Sequence, residues 1–366
     1  MRLVPDLGER LAARTLELID IPSESRDEER LAGHVAAVLR DGGVPVRELG
    51  DSCVLAGPPD VPLLLAGHLD TVPAQGNRPG RIDGGRVHGL GASDMKGAVA
   101  AMIELALAGA PYRCLFFGRE ELPAQDSALT PLLAREPLDA ELVVVMEPTA
   151  CELHAGCLGN VNATWTFHGR SGHSARPWTA DNAIEHAAAG VLALAAQPPV
   201  PHAFDGLEFV EVASVTRIAG GIAGNVIPDR VDCHVNFRYA PGRSAAAAEA
   251  RLAELCAGHG ALRIDSNAPS GPVAAGPRVD ALLAAGKLVR APKQAWTPVA
   301  EFGLGGLAAV NFGPGDPAQA HRRDESVEIA ALVRAYDVLE RFASEAVTSA
   351  ERSGDEAAGR DRREAE

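Results

Sequence analysis

The chain has 366 residues, of which 46% are hydrophobic, 23% charged and 4% aromatic, and its formal net charge is −15. That length exceeds the size at which one hydrophobic core keeps growing, so two domains are expected. The negative charge disfavours nucleic acid and anionic lipid, whose binding starts from clustered Lys and Arg, and scarce aromatic rings leave little surface on which single-stranded bases could stack; a small molecule is the expected partner.

From Leu7 to Leu39 apolar residues recur at helical spacing, broken by the polar turn Pro22 to Ser25, which predicts two helices. Apolar, strand-like runs follow at Val61–Ala66, Arg113–Phe117 and Leu142–Met146, separated by helix-like segments at Gly97–Ala108 and Ser127–Ala134. Such alternation predicts an α/β unit with a mostly parallel central sheet covered by helices. The apolar runs are too short to cross a bilayer, so no membrane span is expected. Met1 to Arg10 lacks the apolar block and small-residue cleavage site of a secretory signal, which points to the cytoplasm. The six cysteines form no C-x-x-C pair and read as reduced, mostly buried thiols.

The texture changes after about Ala155. Val161–Phe167 and Val231–Tyr239 alternate like half-exposed strands, and Ala180–Ala196 and Ser244–Gly258 read as helices, so an α+β unit is inserted into the first domain. The α/β texture returns at Gly271, with a strand expected at Ala308–Phe312 and a final helix at Ser326–Glu345. The expected divisions are residues 1–155 and 271–347 for the α/β domain and 156–270 for the insertion. Residues from Thr348 to Glu366 are almost all charged or small, cannot bury enough apolar surface to order themselves, and are expected to form a disordered tail.

Several acidic and histidine residues follow the apolar strands. Val61–Ala66 runs into Gly67-His68-Leu69-Asp70, which puts a candidate metal ligand and a carboxylate able to orient it at the end of a buried strand, where open α/β sheets build sites. The stretch Gly89-Leu90-Gly91-Ala92-Ser93-Asp94-Met95-Lys96-Gly97 superficially suggests a dinucleotide loop, but Asp94 stands where the third glycine belongs, and a carboxylate there repels a pyrophosphate. Ser93 or Asp94 would serve equally well as a helix cap. Glu120 and Glu121 are adjacent carboxylates at a strand end, tolerated beside a cation or in solvent. Glu147 follows Leu142–Met146, and His321 comes late, after Ala308–Phe312.

The order H-x-D, G-x-x-D-M-K-G, E-E, E-P-T and a late H, together with A-G-H-L-D-T-V-P, G-H-S-A-R-P-W and N-V-I-P, resembles the M20 family of co-catalytic zinc hydrolases over nearly all of the chain. G-P-G-D-P-A-Q-A-H-R-R-D-E is similar to desuccinylases of the actinobacterial kind within it. The resemblance implies two Zn²⁺ per chain, with Co²⁺ as a possible substitute: Asp94 bridges them, His68 and Glu147 complete one site, and Glu121 and His321 complete the other. It further implies Asp70 as the partner of His68, Glu120 as general base, and a cis peptide after Asp94. The insertion would be a ferredoxin-like dimerisation lid, making a homodimer, with His173 stabilising an oxyanion in a neighbouring subunit's site and Asn225 and Arg238 touching substrate. Arg238 offers a planar fork for a carboxylate.

The activity implied is hydrolysis of N-succinyl-LL-2,6-diaminopimelate to succinate and LL-2,6-diaminopimelate, with an acylated amino acid as the small-molecule substrate class. An acetylornithine-type deacylase, a dipeptidase, another acyl-amino-acid hydrolase or a non-catalytic metal-binding relative are the alternatives. Two departures bear on substrate: Trp296-Thr297-Pro298 stands where relatives read W-T-D, and Gly156-Cys157-Leu158-Gly159 lacks an arginine that some desuccinylases use to grip a carboxylate.

Overall fold

The structure, a computed structural model, describes residues 6–344; the expected tail from residue 348 lies outside them. The chain divides into two compact units, one running to Ala155 and resuming at Ala274–Ala291 and from Glu301, the other comprising Gly156–Val273 and Pro292–Ala300. Residues 271–273 and 292–300, expected in the α/β domain, thus group with the second unit. There Cys157 and Gly271 form a β-bridge and the Leu158 N–H donates to the Ala295 carbonyl at 3.0 Å.

The first unit is built on an eight-stranded mixed sheet in the order Val46–Gly50, Cys53–Ala56, Arg113–Phe117, Leu63–His68, Leu142–Val145, Ala309–Asn311, Leu153–Ala155, Arg290–Pro292. The four strands from Arg113–Phe117 to Ala309–Asn311 are mutually parallel. Antiparallel pairing begins on either side, where Cys53–Ala56 and Leu153–Ala155 join them. Leu63–His68, Arg113–Phe117 and Leu142–Val145 are buried throughout, which explains their unbroken apolar runs. Helix Gly97–Leu107 is likewise buried through Ala106 and carries no polar face. Helix Leu7–Asp20 instead starts from a reciprocal Asp6–Glu9 capping box and buries only one stripe, Leu11, Thr15, Leu18 and Ile19 among it.

The final helix begins at residue 329, not at Ser326, because Ser326–Glu328 pairs antiparallel with Arg86–His88. Among the described residues no helix is long and apolar enough to cross a membrane, and all six cysteines are free and buried.

The second unit is a five-stranded antiparallel sheet, ordered Val200–Phe204, Leu207–Gly220, Arg230–Tyr239, Gly159–His168, Ala261–Ala268. With helices Ala183–Ala195 and Ala245–Cys256 on one face this is a ferredoxin-like sandwich plus an extra edge strand. Every second residue of Gly159–His168 and Arg230–Tyr239 points into the core, Ala163, Trp165 and Phe167 opposite Val235, Cys233 and Val231 in turn. Ala183, Ala187, Gly190 and Leu194 form the stripe of the first helix that meets them. Gly190 is required by that approach, since a Cβ there would lie 2.7 Å from the Phe167 ring.

Candidate active site

Because the four central strands run parallel, their carboxyl ends lie along one edge of the sheet, and each delivers a polar side chain there. His68 is the last residue of its strand; Glu120 and Glu121 follow Arg113–Phe117; Glu147 follows Leu142–Val145; and the segment reaching His321 follows Ala309–Asn311. Asp94 comes from the loop before helix Gly97–Leu107. Neither Ser93 nor Asp94 caps that helix, whose first turn has no side-chain cap. The Asp94–Met95 peptide is cis, as the resemblance implied.

The two oxygens of Asp94 are divided between two imidazoles. Oδ1 lies 3.1 Å from His68 Nε2 and Oδ2 lies 3.6 Å from His321 Nε2, while His321 Nε2 is 3.0 Å from Glu121 Oε1. Two donor sets have ligand atoms within 4.8 Å of one another: His68, Glu120 and Glu147, and His68, Asp94 and Glu121. Glu120 therefore falls in a donor set with His68 and the expected ligand Glu147.

Burial, reinforced next by the Glu147 carboxylate, holds the Glu120 carboxyl well above its ordinary value, and burial also pushes Glu121 up against the opposing hydrogen bond from His321. The imidazoles respond in kind. The Glu121 hydrogen bond lifts His321 to about 9, and for His68 the Asp70 and Asp94 carboxylates outweigh a burial that disfavours its charged form. Four carboxylates crowded around two imidazoles form a site for positive charge. Ligand atoms each about 2.0–2.1 Å from a tetrahedral zinc stand about 3.3–3.4 Å apart, and the separations here, 3.0 to 3.6 Å, bracket that value. The donor chemistry fits metal cations, with the Asp94 carboxylate facing both imidazoles.

Asp70 does more than face His68. The closest partner of His68 Nδ1 is the Asp70 main-chain oxygen at 3.0 Å, with the carboxylate Oδ1 at 3.5 Å. The fully buried carboxylate accepts instead from Ser25 Oγ at 2.8 Å and from the main-chain N–H groups of Glu120 and Glu121, each at 3.0 Å. One side chain thus fixes where both glutamates leave the sheet.

The other three expected residues belong to the second unit. Gly172–His173 pairs antiparallel with Val226–Ile227, so the G-H-S and N-V-I-P motifs join each other, and the Ser174 N–H donates to the Asn225 carbonyl at 3.0 Å. His173 is exposed, its Nδ1 accepting from the Ala175 N–H at 3.1 Å. Arg238 is half-buried, and its Nε donates to Asn236 Oδ1 at 2.9 Å; Asn236 in turn donates to Asn160 and Asn162. Among the described residues no carboxylate forms an ion pair with Arg238.

Three supporting residues escaped the sequence reading. Ser25 read as part of a polar turn. Lys96, 2% exposed, donates from Nζ to the carbonyls of Leu18 and Ile21, each at 2.9 Å, closing the end of the first helix against the Asp94 loop. Glu325 draws no reading of its own in H-R-R-D-E, but it is buried and accepts from the main chain of Gly91, Ser93 and Asp94. The only available signal was its place inside a phrase matched as a unit.

A Mycobacterium tuberculosis chain provisionally designated succinyl-diaminopimelate desuccinylase DapE is 40% identical, covering 90% of this chain and 96% of its own length. The succinyl-diaminopimelate desuccinylase of Corynebacterium glutamicum is 31% identical over 90% and 95%, and the N-acetyl-L-citrulline deacetylase of Xanthomonas campestris is 33% identical over 75% and 79%. Among solved structures, a Staphylococcus aureus tripeptidase matches the fold with a TM-score of 0.73 at 19% identity, covering 92% of this chain and 98% of its own. The model of Peptidase family M20/M25/M40 matches residues 64–345, a span that takes in His68, Asp70, Asp94, Glu120, Glu121, Glu147 and His321, and the chain belongs to that family of hydrolases.

Proposed function

We propose that the protein is a two-zinc amide hydrolase that cleaves N-succinyl-LL-2,6-diaminopimelate to succinate and LL-2,6-diaminopimelate. The observation that carries the metal reading is the division of the Asp94 oxygens between His68 and His321. In this reading Asp94 bridges, His68 and Glu147 complete one ion's ligands, and Glu121 and His321 complete the other's. The desuccinylase relatives support the substrate.

When bound, the zinc ions supply Lewis acidity, polarising the amide carbonyl and acidifying the attacking water. Glu120 takes the proton from that water as its oxygen bonds to the carbonyl carbon, then returns it to the amine nitrogen as the C–N bond breaks. A glutamate pushed upward by burial and by Glu147 is suited to hold a proton between those steps. Its ligand atom lies within 4.8 Å of those of His68 and Glu147, which supports a base beside the metal ligands. In the second unit, Arg238 is the receptor for a substrate carboxylate, Asn225 touches substrate from beside His173, and His173 is a donor to the oxyanion developing in a neighbouring subunit's site.

We further propose a homodimer formed through the second unit. Its helix Ala183–Ala195 exposes Ile184 and Leu192, the latter 70% exposed, and its long strand exposes Ile218. That strand, Leu207–Gly220, pairs on its outer edge only from Leu207 to Glu211, so the remainder is open to a second copy.

A second reading, a deacylase for a different acylated amino acid, is favoured by Pro298 in place of the family aspartate and by the buried Cys157 beside Thr297, its Sγ 3.7 Å from the Thr297 oxygen. A panel of N-succinyl-LL-2,6-diaminopimelate, N-acetylornithine, N-acetylcitrulline and dipeptides decides between them. The succinyl substrate is expected to lead in kcat/KM by about 100-fold or more, the scale of discrimination when a site must satisfy a buried polar group. Preference for an acetyl substrate overturns the desuccinylase assignment.

A further inference from the structure

The loop from Gly89 to Asp94 turns its main-chain donors inward. Gly91 has a φ of +78°, a left-handed conformation that a side chain would strain, and it points the N–H groups of Gly91, Ser93 and Asp94 toward one place. Such a concavity of successive N–H groups binds an anion. Here the acceptor is the protein's own: Glu325 Oε2 accepts from Gly91 at 2.9 Å, and Oε1 accepts from Ser93 and Asp94, each at 2.9 Å. The main-chain oxygen of Glu325 also accepts from Gly89 at 3.0 Å. The residue is 2% exposed, so water does not compete for these bonds.

Glu325 lies four positions beyond His321 and 231 residues from Asp94. We propose that Glu325 is a positioning residue of the active site: by filling the Gly91–Asp94 nest it sets the direction of the Asp94 carboxylate and locks it in register with His321, which arrives on the same segment. This rests on the reading of Asp94 and His321 as ligands. The alternative is that Glu325 satisfies buried N–H groups and matters to folding alone.

The test uses full-length Glu325→Gln and Glu325→Ala. Zinc affinity is measured by competition with a chromophoric chelator, the visible absorption of cobalt-loaded protein is recorded, and unfolding is followed in chelator. Asp94→Asn is carried in parallel. The glutamine can keep its oxygen on Ser93 and Asp94 but turns an NH₂ toward the Gly91 N–H, so its loss is the smaller. Displacing a ligand's support typically weakens metal binding about 10- to 100-fold, and we expect the lower figure for Glu325→Gln and the upper for Glu325→Ala, with an altered cobalt spectrum in both. A role in folding alone lowers the metal-free unfolding temperature and leaves the affinity and spectrum of the folded protein unchanged. Should the alanine variant not fold, the glutamine variant carries the measurement. Unmutated zinc affinity and cobalt spectrum in Glu325→Gln, while Asp94→Asn weakens binding, overturns the role of Glu325. Unchanged binding in Asp94→Asn overturns the ligand reading itself, and this proposal with it.

Discussion

Asp70→Asn separates two tasks that one residue performs. The main-chain oxygen, which holds His68 Nδ1 at 3.0 Å, is unaffected, whereas the carboxylate that accepts from Ser25, Glu120 and Glu121 becomes a carboxamide. Its oxygen can keep one of the two main-chain N–H groups, and its NH₂ then confronts the other. A buried donor left without a partner costs about 1–3 kcal/mol, and at about 2–4 °C per kcal/mol for a unit of this size the unfolding temperature should fall by roughly 2–12 °C. Burial opposes ionisation of Asp70, but the adjacent His68 imidazole and the hydrogen bonds from Ser25 and the Glu121 main chain hold its carboxyl below the ordinary value. A carboxyl depressed in the folded state contributes stability above its unfolded pKa and loses it as pH falls through the folded value, so the gap between variant and unmutated protein should close in acid. Turnover should fall about 10- to 100-fold, because Glu120 and Glu121 lose the anchor that sets their main chain. Calorimetry across pH, metal analysis and steady-state kinetics make the measurement. An unfolding temperature and kcat indistinguishable from those of the unmutated protein would refute the role of Asp70 as the link between the two loops.

Glu120→Gln should retain both metal ions while turnover drops by about 10²- to 10⁴-fold, as expected when a proton shuttle is lost; metal content with undiminished turnover would remove Glu120 as the base. In the second unit the buried Glu211 accepts from Arg243 Nε at 2.8 Å and its NH2 nitrogen at 2.9 Å, and from the Ala240 N–H at 3.0 Å. Arg243→Ala should cost about 1.5–3 kcal/mol in urea unfolding at neutral pH. Burial works against ionised Glu211, but the Arg243 and Ala240 hydrogen bonds prevail and hold it below its ordinary value, so the cost should shrink as pH falls through that lowered value and a constant cost would contradict the sign. Leu192→Glu places a charge on the exposed apolar face of helix Ala183–Ala195 and should shift sedimentation from dimer to monomer; an unchanged profile would locate any dimer elsewhere.

The buried strands and their helices were legible in the sequence because their signals are local. Short, β-branched unbroken runs such as Leu142–Val145 read as two-sided buried strands, and the alternation of Val161, Ala163, Trp165 and Phe167 declares one buried face. The same locality misled at the last helix, where Ser326–Glu328 follows a distant partner, Arg86–His88, in place of the helical pattern that succeeds it. The types and order of the candidate site residues could also be read, since each follows an apolar run. Which of them meet could not: nothing local in residues 94 and 321 says that one carboxylate will face both His68 and His321, and only the parallel order of four strands brings those ends to one edge. Asp70 and Glu325 are the clearest cases. The sequence marks Asp70 only as a partner for His68 and Glu325 not at all, yet each is defined by main-chain N–H groups far away in sequence, Glu120 and Glu121 for one and Gly91, Ser93 and Asp94 for the other. Every residue carries such a donor whatever its side chain, so a carboxylate's bond to it leaves no mark in the sequence until the chain has folded.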